Sequence, residues 1–158
     1  MIETAKLIQK PENPAKKWLF GYPEMLERRD RLARHMERYY ASATSCTAKL
    51  KPVSVSGSPA AYDRMAEAVV NNVDAQRSFA AEIARIDRKA AQVLSAIDQL
   101  TDERQKLILT MRYIEGAEWP EIIEHFQRKE DRQSRWVFIQ HGRALGIIRR
   151  WMEENGVQ

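Results

Sequence analysis

The chain has 158 residues, 30% of them charged and 44% hydrophobic, with a net charge of +4. That length suits one full domain, or a small domain with an extension. No apolar run approaches the roughly 20 residues a spanning helix needs, and a single cysteine, Cys46, excludes an internal disulfide or a cysteine-based zinc site.

The mean hydropathy of −0.57 and pI near 9.3 describe a basic, surface-rich chain, compatible with nucleic acid. Met1-Ile2-Glu3-Thr4 lacks the basic and then apolar pattern of a signal peptide, so a cytoplasmic protein is expected. Cys46 is expected to pack as a small hydrophobe.

Residues 1–22, with Pro11, Pro14 and Gly21, read as an arm. One helical turn is expected at 15–20, docking Trp18, Leu19 and Phe20 on a helix. A first long helix is expected to open at Pro23 and run to about Thr44. Along it Met25, Leu32, Met36, Tyr39 and Ala43 keep a spacing of three or four. A Ser/Pro/Gly loop follows, and Ser58 with Pro59 should start the second helix. No glycine or proline interrupts 60–100. Met65, Val69, Val73, Gln76, Phe79 or Ala80, Ile83, Ile86, Ala90, Val93, Ile97 and Leu100 trace a heptad-like seam there.

The expected architecture for 23–100 is an antiparallel, coiled-coil-like helical hairpin. A first helix of about 22 residues covers only about 33 Å of its partner. The seam from Ile86 to Ile97 therefore calls for the C-terminal module or a second chain, which makes a homodimer or higher oligomer through the long helix an expectation.

Residues 101–158 read as three short helices. Thr101 caps the first, which buries Leu107, Ile108 and Met111 and stops near Gly116; the second covers 119–126. The third, from about Arg132 to Glu153, buries Val137, Gln140, Ala144, Ile147, Ile148 and Trp151. Charge reverses along the module. Residues 101–126 hold three Lys/Arg and six Asp/Glu, whereas 127–151 hold seven and two. At 100° per residue, the third helix must turn Arg135, Ile139, Gly142 and Gly146 away from its buried arc. A helix-turn-helix presents one helix to DNA in this way, with its first turn at base edges. Gln133, Ser134 and Arg135 are thus the expected base contacts, since arginine can pair guanine and glutamine adenine. Arg128, Lys129, Arg132, Arg143 and Arg149 are the expected phosphate contacts, which position without specifying.

Leu100, Arg104, Ile108-Leu109, Met111-Arg112-Tyr113, Glu115-Gly116, Trp119, Glu121-Ile122, Val137 and Ala144-Leu145 resemble region 4 of sigma-70-type factors. That resemblance implies a helix-turn-helix that reads the −35 promoter element and touches the polymerase flap. The chain is closer still to a phage and prophage group of region-4-like proteins, akin to late-transcription regulators of the ArpU and RinA kind. Val55-Ser56-Gly57, the run 63–69 and His141-Gly142-Arg143-Ala144-Leu145 carry that likeness. The departure lies in the turn. Phe126 and Val137 are eleven residues apart, where the sigma pattern has about six. Either an extended loop or an early start of the third helix would absorb the difference.

Catalysis finds no footing in the sequence. His35, His125 and His141 are far apart, and no His-Glu-x-x-His helix, phosphate loop or Cys-His pair occurs. His141 reads as a packing residue. No catalytic residue, metal or cofactor is expected.

The expectation is an all-α protein whose helical hairpin precedes a sigma region-4-like helix-turn-helix. It would act as a sequence-specific transcriptional regulator with double-stranded DNA, and host RNA polymerase, as partners. Lacking a module to melt the −10 element, it should not start transcription alone. Two alternatives remain at this stage: a small terminase-like packaging subunit, and a polymerase-binding adaptor without DNA binding.

Overall fold

The computed structural model describes residues 13–48 and 59–157, which form five α-helices and one π-helical turn, with no strand among them. Readings that rest on residues 1–12, on the loop with Ser58, or on the side chains of Ala43, Cys46 and Met65 lie outside the described residues. Among the described residues no helix is long and apolar enough to cross a membrane.

Helix α1 spans Pro14–Ala48, so it starts nine residues before the expected Pro23. Asn13 caps it, its side chain accepting from the Ala15 N–H at 3.0 Å, and Pro14 takes the first helical position, where no N–H is needed. Pro23 sits inside the helix at a cost of about 3 kcal/mol. Ala15, Leu19 and Tyr22, spaced four and three apart and buried, offset it. The expected docking arm is thus the first turns of α1. Its buried members are Ala15, Leu19 and Tyr22, while Phe20 stays 40% exposed.

Helix α2 spans Pro59–Asp98. With α1 at 35 residues and α2 at 40, the expected mismatch in length disappears. The seam is buried at Ile86, Ala90, Val93 and Ile97 of α2 and at Leu100 just past its end, but Val69 and Val73 are exposed. At 3.6 residues per turn, Val69 lies about 100° around the helix from Ile86, and the drift of a heptad pattern on a straight helix, about 20° per heptad, supplies about half of that. Since Ile86 to Ile97 is covered within the chain, the sequence argument for a second copy on that seam falls away.

The chain divides into two compact units. One takes the residues through Glu24 and those from Ala91 onward; the other is Met25–Ala90. The division therefore cuts through both long helices, and the boundary expected at 22 likewise falls inside α1. In the second unit, Arg28 meets Glu82 and Arg29 meets Asp87, each at 2.9 Å. His35 and Tyr39 set their rings 6.2 and 5.5 Å from that of Phe79. The exposed ion pairs add little to stability; the aromatic contacts and buried Ile86 and Ala90 carry the packing.

The first unit continues with α3, Glu103–Leu109. Its cap is Asp102 rather than Thr101, the carboxylate accepting from the Arg104 N–H at 2.9 Å. A π-helical turn, Thr110–Ile114, follows directly. Gly116 then adopts φ +76°, a left-handed conformation that a side chain would strain. Helix α4 spans Trp119–Glu130, opened by a reciprocal capping box between Glu118 and Glu121. Helix α5 spans Ser134–Glu154 and packs against α3 and α4.

Candidate nucleic-acid interface

The core under α5 is a cluster of Ile108, Ile122, Phe126 and Val137, one or two residues from each of α3, α4 and α5. Burying these four large side chains stabilises the three-helix arrangement by roughly 1.5–3 kcal/mol apiece. Trp136 and Trp119 pack on the cluster's edge. Two polar links set the rotation of α5 on this core. Gln105 donates to Gln140 at 2.9 Å in the interior. The Tyr113 hydroxyl lies 2.9 Å from Nε2 of His141, with the Trp119 ring edge-on to the imidazole at 4.8 Å. Burial, reinforced by the charges of Lys16 and Arg112, pushes the His141 imidazole down to about 4, so it is neutral at pH 7. Burial pushes the Tyr113 phenol up to about 12 against the opposing pull of Arg112. His141 is therefore a packing residue, as its sequence context implies.

Arg112 has a structural position the sequence does not announce. Its guanidinium lies 5.4 Å from the Phe20 ring centre and 5.3 Å from that of Trp119. It also donates to the Ala117 carbonyl at 2.9 Å and to Glu118 at 3.2 Å. One side chain thus ties α1 to the segment that starts α4.

The turn before α5 resolves the spacing problem in a way neither expectation foresaw. Helix α4 runs one turn longer, to Glu130, and ends at Asp131 in the left-handed conformation with φ 52° and ψ 39°. The Asp131 N–H reaches the Gln127 carbonyl and the Arg132 N–H the Phe126 carbonyl, each at 3.2 Å. Only Asp131, Arg132 and Gln133 separate the two helices. Helix α5 therefore starts at Ser134, two residues later than expected. Aspartate is among the few non-glycine residues that tolerate this conformation. Glu130 binds Arg104 of α3 and lies 3.8 Å from Arg132, whose guanidinium also stands 5.1 Å from the Trp136 ring centre.

The expected base contacts sit together and outward. Gln133 is the N-cap of α5, but its side chain makes no capping bond; Ser134 and Arg135 follow in the first turn, all three exposed. The buried arc consists of Val137, Gln140, His141, Ala144, Leu145, Ile148 and Met152. Ile147, expected inside, is 39% exposed, and Trp151 is half-buried with its ring 6.1 Å from Trp18. Leu145 and Met152 are buried in their place, on the His141 side of an arc that centres on Ala144 and Ile148, 180–220° from Arg135.

Opposite that arc lie Arg135, Ile139, Gly142, Arg143, Gly146 and Arg150, every one exposed. Among the described residues no ion pair occupies Arg135, Arg143 or Arg150, in contrast to Arg149, which meets Glu153 at 3.4 Å. A Cβ placed on Gly142 or Gly146 would meet nothing within 4 Å. Among the expected phosphate contacts, Lys129 and Arg132 are exposed near the turn and Arg143 lies on the α5 face. Arg128 lines a recess on α4 together with Lys129, Glu121 and Glu124, and is the one of the two basic residues that is ion-paired with Glu124. Arg150 and Ile139 complete the face, and helical arithmetic already places both there. Among the described residues no group of three or more His, Cys, Asp or Glu side chains is arranged to hold a metal ion.

Comparison of the chain with protein-family models, with curated proteins and with solved structures finds no match.

Proposed function

We propose that this chain is a sequence-specific, DNA-binding transcriptional regulator of phage or prophage type. In this reading the α1–α2 pair is a helical hairpin, and α3 to α5 form a sigma region-4-like helix-turn-helix whose α5 enters the major groove. The observation that carries it is the outward face of α5. Among the described residues no carboxylate pairs with the three arginines there, and two glycines leave the backbone open between them. A merely solvated helix face gains nothing from two glycines, which cost about 1 kcal/mol each relative to alanine. A helix that must lie against another surface gains close approach. Unneutralised arginines suit phosphates and guanine edges on that surface. The polymerase contact is a further part of the proposal and comes from the resemblance alone.

The test is selection of fragmented host and prophage DNA by the purified full-length protein at low and at physiological salt. Recovery of one short site that survives the higher salt is the expected result. Uniform binding that vanishes with salt, or no binding, would overturn the reading, since only the counterion-release part of affinity is sequence-independent.

A further inference from the structure

We propose that Ile139 reads the 5-methyl group of a thymine in the major groove, one to two base pairs from the base that Arg135 contacts. This inference rests on the reading of α5 as the recognition helix and deepens it to a base preference. Ile139 is 45% exposed in the middle of a face otherwise made of arginine and glycine. Arg135 precedes it by four residues and Arg143 follows by four, so the three form one row, about 6 Å apart along the helix axis. Base pairs rise about 3.4 Å each, which sets the separation of one to two pairs.

Ile139 stands outside the cluster beneath α5, which takes Val137 and sets Trp136 at its edge. Phe138, 46% exposed, rests its ring 4.9 Å from that of Trp119 and is accounted for. A β-branched residue also lowers helix propensity, so an exposed one is no help to α5 itself. Gly142, one turn on, carries no side chain to screen Ile139 from a groove. The methyl of thymine is the apolar group exposed on the major-groove edge of a base pair, and apolar side chains are its complement.

The experiment uses the full chain and its selected duplex, with affinity measured by fluorescence anisotropy at fixed salt. Each thymine is replaced in turn by deoxyuridine, which removes the methyl and leaves every hydrogen bond. At one position the wild type is expected to lose about fourfold, the worth of one buried methyl-sized group. Ile139→Ala should lose less than about 1.5-fold there, because the two changes delete the same contact. Ile139→Val should keep part of the effect. Ile147→Ala, which alters an exposed apolar residue on the flank, should keep all of it. A selected site indifferent to every replacement, or an equal loss in Ile139→Ala, overturns this proposal and leaves the DNA-binding reading standing. Selection that returns no preferred sequence overturns that reading, and this proposal with it.

Discussion

Replacing Gly142 and Gly146 with alanine is expected to move folding stability and DNA affinity in opposite directions. Both residues lie in the middle of α5, a 21-residue helix, and are exposed. Alanine is about 0.8–1 kcal/mol better than glycine at such a site. A new Cβ at either position meets nothing within 4 Å, so no clash offsets that gain. The two sites are one helical turn apart and share no packed neighbour, so the effects should nearly add, to about 2 kcal/mol. For a unit of this size that corresponds to a rise of several degrees in Tm. The same two methyl groups would stand between the α5 backbone and a groove wall. Holding a fitted surface apart by a methyl costs about 1–3 kcal/mol in cores, and a similar loss at this interface weakens binding at least fivefold per substitution. Circular-dichroism melts and anisotropy titrations on the selected duplex measure the two quantities. A double variant that is more stable and binds DNA as tightly as the wild type would refute the close-approach argument. A double variant that is less stable would refute the open space around the glycines.

Other consequences are cheaper to test. Arg135→Ala should relax the preference at one base position, whereas Lys129→Ala should weaken binding to all sequences and reduce the salt slope by about 0.9. Arg128→Ala should leave that slope unchanged, because Arg128 is already paired with Glu124; equal slopes for the Lys129 and Arg128 variants would show that the division is wrong. Asp131→Gly should raise stability by up to about 1 kcal/mol by relieving the left-handed conformation. It should also tighten DNA binding by removing a carboxylate from the turn, and looser binding in titrations would count against a phosphate beside that turn. His141 is held at about 4, below its unfolded value of 6.5, so the unfolded chain binds the extra proton between those limits. Stability is thus full above pH 6.5 and falls as pH drops toward 4. Urea midpoints at pH 7, 5.5 and 4.5 should show that decline, and His141→Gln should flatten it.

Much of this fold is written in local signals. Pro59 starts α2, Pro120 lies in the first turn of α4, and Gly116 marks the end of the third helical segment, each for the backbone reason its residue type supplies. The α5 face was legible as well, because 100° per residue separates Arg135 and Ile139 from Val137 and Ala144 with no tertiary knowledge. What local signals missed depends on packing at a distance. Pro23 reads as a helix start, yet the burial of Leu19 and Tyr22 outweighs it and carries α1 through. Asn13-Pro14 is an equally good start signal, masked by a proline-rich stretch that reads as a loop. Ile147 and Leu145 exchange places because an arc drawn from hydrophobicity alone cannot know that α3 and α4 approach from the side of His141.

The turn shows how far the resemblance to sigma region 4 can carry. Five residues in excess of the sigma pattern would displace α5 if they formed a loop, and every base contact carried over would be lost. Instead α4 takes up a further turn of helix, Asp131 reverses the chain, and α5 still begins immediately ahead of Arg135. The Arg104–Glu130 pair holds the added turn to α3, and Arg132 folds back over Trp136 at the start of α5. Helix α4 is thereby lengthened at its C-terminal end, where Lys129 and Arg132 are exposed close to the first turn of α5. The consequence for recognition is a shift of emphasis. If the proposed function holds, phosphate contacts that a shorter turn would leave to α5 alone would be offered by the end of α4 and the turn. On the proposed function, the α5 face would then hold Arg135 and Ile139 toward base edges, with Gly142 and Gly146 allowing the backbone to approach.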